Sequence, residues 1–148
     1  MSNNIVISID PGKYKCGILS ANIDTKQVLE AKVVSSDLVL DILNIWLNNF
    51  KEFNIIIGNG TTSKYWIDKI KVLNQKIIIV DESNSTIRAK QRFYDIYPPK
   101  GIMKLFPIDL FVMNKNLDSL ASLILLEDYY NFQFKWNIKF SFKVLQKS

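Results

Sequence analysis

The chain has 148 residues, 48% apolar and 22% charged, which suits a single domain with one buried core and is too apolar for an intrinsically disordered protein. Its formal charge of +5 comes from 19 Lys and Arg, of which only Arg88 and Arg92 are arginines, against 14 Asp and Glu, and it has no histidine. The missing imidazole excludes Ser-His-Asp and Cys-His catalysis and nearly every transition-metal site, so any chemistry must rest on carboxylates, lysines or hydroxyls.

Cys16 is the one cysteine, which excludes an internal disulfide and fits a reducing compartment, so a cytoplasmic location is expected. Apolar runs are far shorter than the roughly 20 residues of a membrane span, and the first residues lack the basic-then-apolar pattern of a secretory leader. The basic balance favours a polyanionic partner. The abundance of Lys, Asn and Ile also fits an AT-rich coding sequence, which accounts for part of the excess without a partner.

Residues 4–10 read as a strand with Ile5, Ile7 and Ile9 on one face and Val6 and Ser8 on the other, apolar enough for burial on both sides. Asp10-Pro11-Gly12 ends it, and residues 15–22 and 27–34, joined by a short polar turn, continue as an antiparallel meander. Ser36 is a plausible cap for a helix to about residue 51, with Leu38, Ile42, Ile45 and Leu47 as its apolar side. From residue 54 the pattern changes to strands at 54–58 and 76–80 alternating with helices at about 63–73 and 85–96, the signature of parallel strands with crossover helices. Residues 98–115 read as a loop and 117–130 as the last helix. The expected fold is α/β, a five-stranded mixed sheet with helices on both faces, over residues 1–131.

The tail, residues 132–148, places Phe132, Phe134, Trp136, Ile138, Phe140, Phe142 and Val144 at every second position. That alternation predicts one or two strands with one face covered, either as an edge strand of the same sheet or as a surface for self-association, and hence a homo-oligomer.

Ligands of parallel sheets bind outside the carboxyl ends of the strands, and acids fall at that end. Asp10 closes the first strand, Asp81 and Glu82 follow the strand at 76–80, and Asp118 opens the last helix on the side shared with Ala121 and Ser122. Neighbouring strand residues point oppositely, so only one of Asp81 and Glu82 faces Asp10, and spacing leaves both open. Converging carboxylates repel unless a cation neutralises them, and Mg2+ (or Mn2+) suits hard oxygen ligands. Two such ions about 4 Å apart can activate a water and stabilise a leaving oxygen in phosphodiester cleavage.

The surroundings suit a phosphate backbone. Lys13 and Lys15 flank Asp10, Lys100 lies in the loop, and Thr61, Thr62 and Ser63 lead into a helix N-terminus beside Lys64. The same Thr/Ser run also reads as an ordinary helix cap. Arg88 and Arg92, four apart on one helix face, read either as a clamp on backbone phosphates or as solvated surface.

The order strand-Asp10-Pro11-Gly12, Ile55-Ile56-Ile57-Gly58, Val80-Asp81-Glu82 with Ser85-Thr86, then Leu117-Asp118-Ser119-Leu120-Ala121-Ser122 resembles the YqgF family of ribonuclease H-like nucleases. Members of that family are assigned to Holliday-junction resolution and to maturing the 5′ end of 16S ribosomal RNA. The resemblance covers about residues 4–130, and Gly58-Asn59-Gly60-Thr61 with Tyr97-Pro98-Pro99-Lys100-Gly101 is similar to the cyanobacterial and plastid branch. It implies a ribonuclease H-like fold and a Mg2+-dependent nuclease acting on structured RNA or branched DNA, with Asp10, Glu82 and Asp118 as catalytic, metal-holding acids. The family's arginine after the glutamate is Ser83 here, with Arg88 as the candidate replacement. Two alternatives stay open: a catalytically silent relative that binds ribosomal precursor RNA or a protein partner, and a structural module assembling through the tail.

Overall fold

The computed structural model describes residues 4–82, 85–96, 98, 118–137 and 144–145. Along the chain these form β1 (Ile5–Asp10), β2 (Lys15–Asn22), β3 (Gln27–Ser35), α1 (Val39–Phe50), β4 (Asn54–Gly58), α2 (Ser63–Ile70), β5 (Ile77–Val80), α3 (Ser85–Ile96), α4 (Asp118–Tyr130) and β6 (Val144–Leu145). The strands make one sheet in the order β5-β4-β1-β2-β3-β6. Pairing is antiparallel on both sides of β2 and parallel elsewhere, so β2 alone runs against the rest.

The period-2 pattern of β1 divides the core in two. Ile5, Ile7 and Ile9, with Ile55 and Ile57, pack under Val39, Leu43 and Trp46 of α1 and Trp66 and Ile70 of α2. Val6, Leu19 and Ile56 face the other way, onto Ala89 and Phe93 of α3 and Leu120, Leu123 and Leu126 of α4. Each fully buried side chain of this size contributes roughly 1.5–3 kcal/mol, so both layers are held strongly against the sheet. Helices therefore cover both faces, as the sequence predicts.

α4 is sandwiched between the sheet and α3, and every residue from 119 to 126 is buried, including Ser119 and Ser122. The Ser8 hydroxyl donates to the Ser122 carbonyl at 2.6 Å, which fixes this helix across β1. At its other end Tyr130 hydrogen-bonds Asn54, the first residue of β4. α4 thus runs antiparallel to β1 and β4, and its first turn lies over their carboxyl ends.

Two expectations are corrected. The buried side of α1 is Val39, Ile42, Leu43 and Trp46, whereas Ile45 is 58% exposed, because the stripe follows i, i+3, i+4 and i+7 from Val39 rather than from Leu38. Val144 and Leu145 pair in parallel with Val33 and Val34, so this part of the tail adds an edge strand to the five of residues 1–131. The tail itself is not a continuous strand over its described part: residues 132–137 make a single bridge, between Gln27 and Lys135.

Arg92 and Glu127 anchor this segment. The Arg92 guanidinium meets Glu127 through Nε to Oε1 at 3.0 Å and Nη2 to Oε2 at 3.3 Å. Arg92 Nη2 also donates to the Phe134 carbonyl at 2.9 Å, while the Phe134 amide donates to Glu127 Oε2 at 2.7 Å. Both polar groups of the Phe134 peptide backbone are taken by side chains, while on the other side of the segment the Lys135 amide donates to the Lys26 carbonyl at 2.7 Å and the Lys135 carbonyl accepts from the Val28 amide at 3.0 Å. Phe134 is buried, and Phe132 and Trp136 pack against the same core cluster, so these aromatic groups enter the chain's own interior. The alternation beyond them, at 138–143, lies outside the described residues.

The two side chains of this ion pair are only 12% and 10% exposed, so breaking it leaves a buried charge. Glu127→Ala strands both Arg92 and the Phe134 amide, and we expect it to cost about 3–5 kcal/mol in a denaturant titration. Loss of less than about 1 kcal/mol would show the clamp to be dispensable.

Candidate active site

β1 ends on Asp10, and the chain turns through Pro11 and Gly12 into β2 at Lys15. This turn is closed tightly, because a Cβ on Gly12 would overlap the Lys15 carbonyl oxygen. It is also braced from below: the buried Trp66 indole donates to the Gly12 carbonyl at 2.8 Å, and the Cys16 thiol lies 3.5 Å from the Gly12 amide. Trp66 and Cys16 are core residues, as their sequence context suggests, and they also hold the loop that carries Asp10.

β4 separates β1 from β5 in the sheet, so a residue at the end of β5 starts about 9–10 Å from one at the end of β1. Glu82 spans that gap. Its carboxyl lies in hydrogen-bonding reach of Asp10, and it passes directly over the loop after β4. A Cβ on Gly58 would overlap Glu82 Oε2, and one on Gly60 would overlap Oε1. The two glycines form a cradle that only α-carbons without a Cβ can provide. Asn59 between them secures the approach, its Oδ1 accepting from the Glu82 amide at 3.2 Å and its amide donating to the Val80 carbonyl at 3.0 Å. Of the two candidate acids after β5, Glu82 is therefore the one against Asp10, and Asp81 is exposed.

Glu82 Oε2 is buried and has no hydrogen-bond donor among the described residues. Two carboxyl groups this close satisfy each other only by sharing a proton or by sharing a cation. Burial raises the Glu82 carboxyl above its ordinary range; the hydrogen bond with Asp10 opposes that shift, and the Asp81 charge adds to it.

Asp118 opens α4, and its side chain lies outside the described part of the structure. Its backbone position follows from the run of the helix. Ser122 sits over Ser8, and Asp118 is one turn, about 6 Å, further towards the carboxyl end. Asp10 is two residues, about 6.6 Å, beyond Ser8 in that direction. Among the described residues no group of three acids is assembled.

Asp10, Lys13, Tyr14 and Lys15 line a cleft of about 310 Å³. Lys13 and Lys15 are exposed, and so are Thr61 and Lys64 at the start of α2. Thr62 precedes α2 without a side-chain capping bond, so the Ser/Thr run is not a side-chain cap. Ser63 begins the helix, its amide bonded to the Gly60 carbonyl at 3.0 Å. The expected phosphate clamp is corrected by the packing of α3 on α4. Arg92 is committed to Glu127 and Phe134, and Arg88 Nη1 pairs with Asp128 Oδ1 at 2.6 Å. Lys100 and Ser83 lie outside the described residues. A second cleft of about 310 Å³, between Asn4, Glu52 and Gln75 at the opposite end of the sheet, brings no pair of acids together.

What sequence reasoning missed is the support around the acids. The two glycines flanking Asn59 were the available signal, since a Gly-Asn-Gly turn straight after a buried strand marks a place where something approaches the backbone closely.

The strand order β5-β4-β1-β2-β3, with β2 alone reversed and helices on both faces, defines a ribonuclease H-like α/β fold. Among solved structures, the chain is similar to T. thermophilus RuvC in complex with a Holliday junction substrate, at 16% sequence identity and a TM-score of 0.49 over 86% of this chain and 94% of that one. No protein-family model matches the chain, and no curated protein does.

Gly58→Ala and Gly60→Ala meet the tip of a flexible side chain, so the expected outcome is a preserved fold with Glu82 pushed away from Asp10. Circular dichroism should stay native, while any property that needs the paired carboxylates is lost. The pH dependence has a definite sign. A raised Glu82 pKa means the folded chain holds that proton more tightly than the unfolded chain does, so the stability it contributes is present below the ordinary value of 4.5 and fades as pH rises through the raised value. In metal-free buffer Glu82→Gln should gain on the wild type as pH climbs through that window. Parallel Tm profiles for the two proteins would refute the shift.

Proposed function

We propose that the protein is a Mg2+-dependent nuclease that hydrolyses phosphodiester bonds in structured nucleic acid, with Asp10, Glu82 and Asp118 as its acids. One observation carries this reading: the Glu82 carboxylate is seated in a glycine cradle against Asp10 with a buried oxygen that no donor among the described residues satisfies. Hard, anionic oxygen donors without histidine or thiol fit magnesium or manganese and no softer metal. A divalent ion held there supplies a water nucleophile of lowered pKa and charge for the leaving oxygen.

The chain's own residues do the rest. Asp10 and Glu82 hold the negative charge fixed at the sheet edge, and Trp66 and Asn59 keep the two loops from relaxing apart. Lys13, Lys15 and Lys64 attract the substrate backbone beside residues 61–63 at the start of α2. Recognition by charge and shape predicts a steep loss of affinity with salt. The resemblance to YqgF nucleases supports branched DNA and ribosomal precursor RNA as the substrates to test, in the cytoplasm.

A second reading is a silent relative that binds nucleic acid without cutting it. Arg88, the candidate for the family's missing arginine, is engaged by Asp128, which favours this alternative. The two separate cleanly. Under the nuclease reading, wild type cleaves one of these substrates with Mg2+, Asp10→Asn loses about a hundredfold or more of that activity, and Mg2+ raises the Tm of wild type but not of Glu82→Gln. Equal cleavage by Asp10→Asn and wild type would sink it, and so would binding without cleavage.

A further inference from the structure

Tyr14 has a ring that the fold does not use. It is 75% exposed, the most exposed large hydrophobic side chain among the described residues, and it lines the same cleft as Asp10. Its backbone, by contrast, is rigidly placed. The Ser36 amide donates to the Tyr14 carbonyl at 2.9 Å, and Gly12, two residues earlier, is held by Trp66. Lys13 Nζ lies 5.2 Å from the ring centroid, a cation–π contact that occupies one face and leaves the other open. Exposed aromatic area displayed from a fixed turn binds with little loss of conformational freedom, which is the economy that binding surfaces exploit.

We propose that Tyr14 is a stacking platform for an unpaired base, with Lys13 and Lys15 receiving the phosphates on either side of it. This inference rests on the nuclease reading for its setting and narrows the substrate to nucleic acid with an unstacked or single-stranded nucleotide next to the scissile bond. An aromatic ring with flanking lysines is the combination that holds single strands without reading their sequence. A closed duplex buries its base faces and offers such a ring nothing to stack on. Tyr129 is the internal comparison, being 45% exposed and located in the last turn of α4, far from Asp10.

The experiment measures binding in EDTA, so that it does not depend on cleavage. Full-length protein is titrated into single-stranded and fully paired oligonucleotides of one sequence, as DNA and as RNA, each carrying a fluorescent adenine analogue. Tyr14→Ala should lose about tenfold or more in affinity for the unpaired strands together with the stacking quench, while duplex binding changes by less than about twofold. Tyr14→Trp should restore both, and Tyr129→Ala should leave both as in wild type. Lys13→Ala should weaken single strands and duplexes alike and reduce the salt slope by about 1. The DNA and RNA arms report which sugar the cleft accepts.

The proposal is overturned if Tyr14→Ala binds single strands as wild type does, if Tyr129→Ala matches its loss, or if wild type binds neither form. Failure of the nuclease reading has a different signature, namely cleavage that is absent or indifferent to Asp10→Asn while the Tyr14 effect on binding remains.

Discussion

Everything at the carboxyl end of this sheet depends on one side chain crossing one strand. Glu82 and Asp10 belong to strands that are not neighbours, and a glutamate is barely long enough to bridge the space left by the strand between them. The crossing is possible because β4 finishes on a glycine and its loop places a second glycine beneath the same carboxylate. Any side chain at either position would occupy the volume the carboxylate needs. Two like charges are thereby held together with no basic residue interposed among the described residues, an arrangement that costs the chain electrostatic energy unless a proton or a cation is shared between them.

Much of the architecture was legible because the hydrophobic patterns are strong. Strict alternation in β1 gave both its faces, and the switch from period 2 to alternating short strands and helices after residue 54 revealed the parallel half. Asp10 was legible too, since Asp-Pro-Gly closes a buried strand. The choice between Asp81 and Glu82 was not, because a strand ending says which way a residue points and not how far its side chain can travel. The glycines at 58 and 60 signal a close approach but not its partner, for a related reason: Glu82 is 24 and 22 residues away in sequence (82 − 58 and 82 − 60) and meets them only through strand order.

The arginines and the tail show where pattern misleads. Two arginines four apart on a basic protein look like a phosphate clamp, yet their partners, Glu127 and Asp128, lie on another helix and so leave no local trace. The same ion pair anchors the aromatic tail at Phe134. Its apolar side chains go inward as alternation demands, but the peptide at Phe134 is fastened by side chains instead of by a neighbouring strand. Hydrophobic alternation specifies which face is buried; hydrogen-bond partners decide whether the backbone becomes a ladder.

The closure of the sheet at β3 has a consequence for biosynthesis. Val33 and Val34 find their parallel partners only at Val144 and Leu145, a separation of 111 residues (144 − 33). At about 5–20 residues per second, a ribosome needs roughly 6–22 s to deliver that segment after β3 has emerged. Throughout that interval the outer side of β3 at Val33 and Val34 lacks its parallel partner, the kind of open strand edge that can pair with another chain.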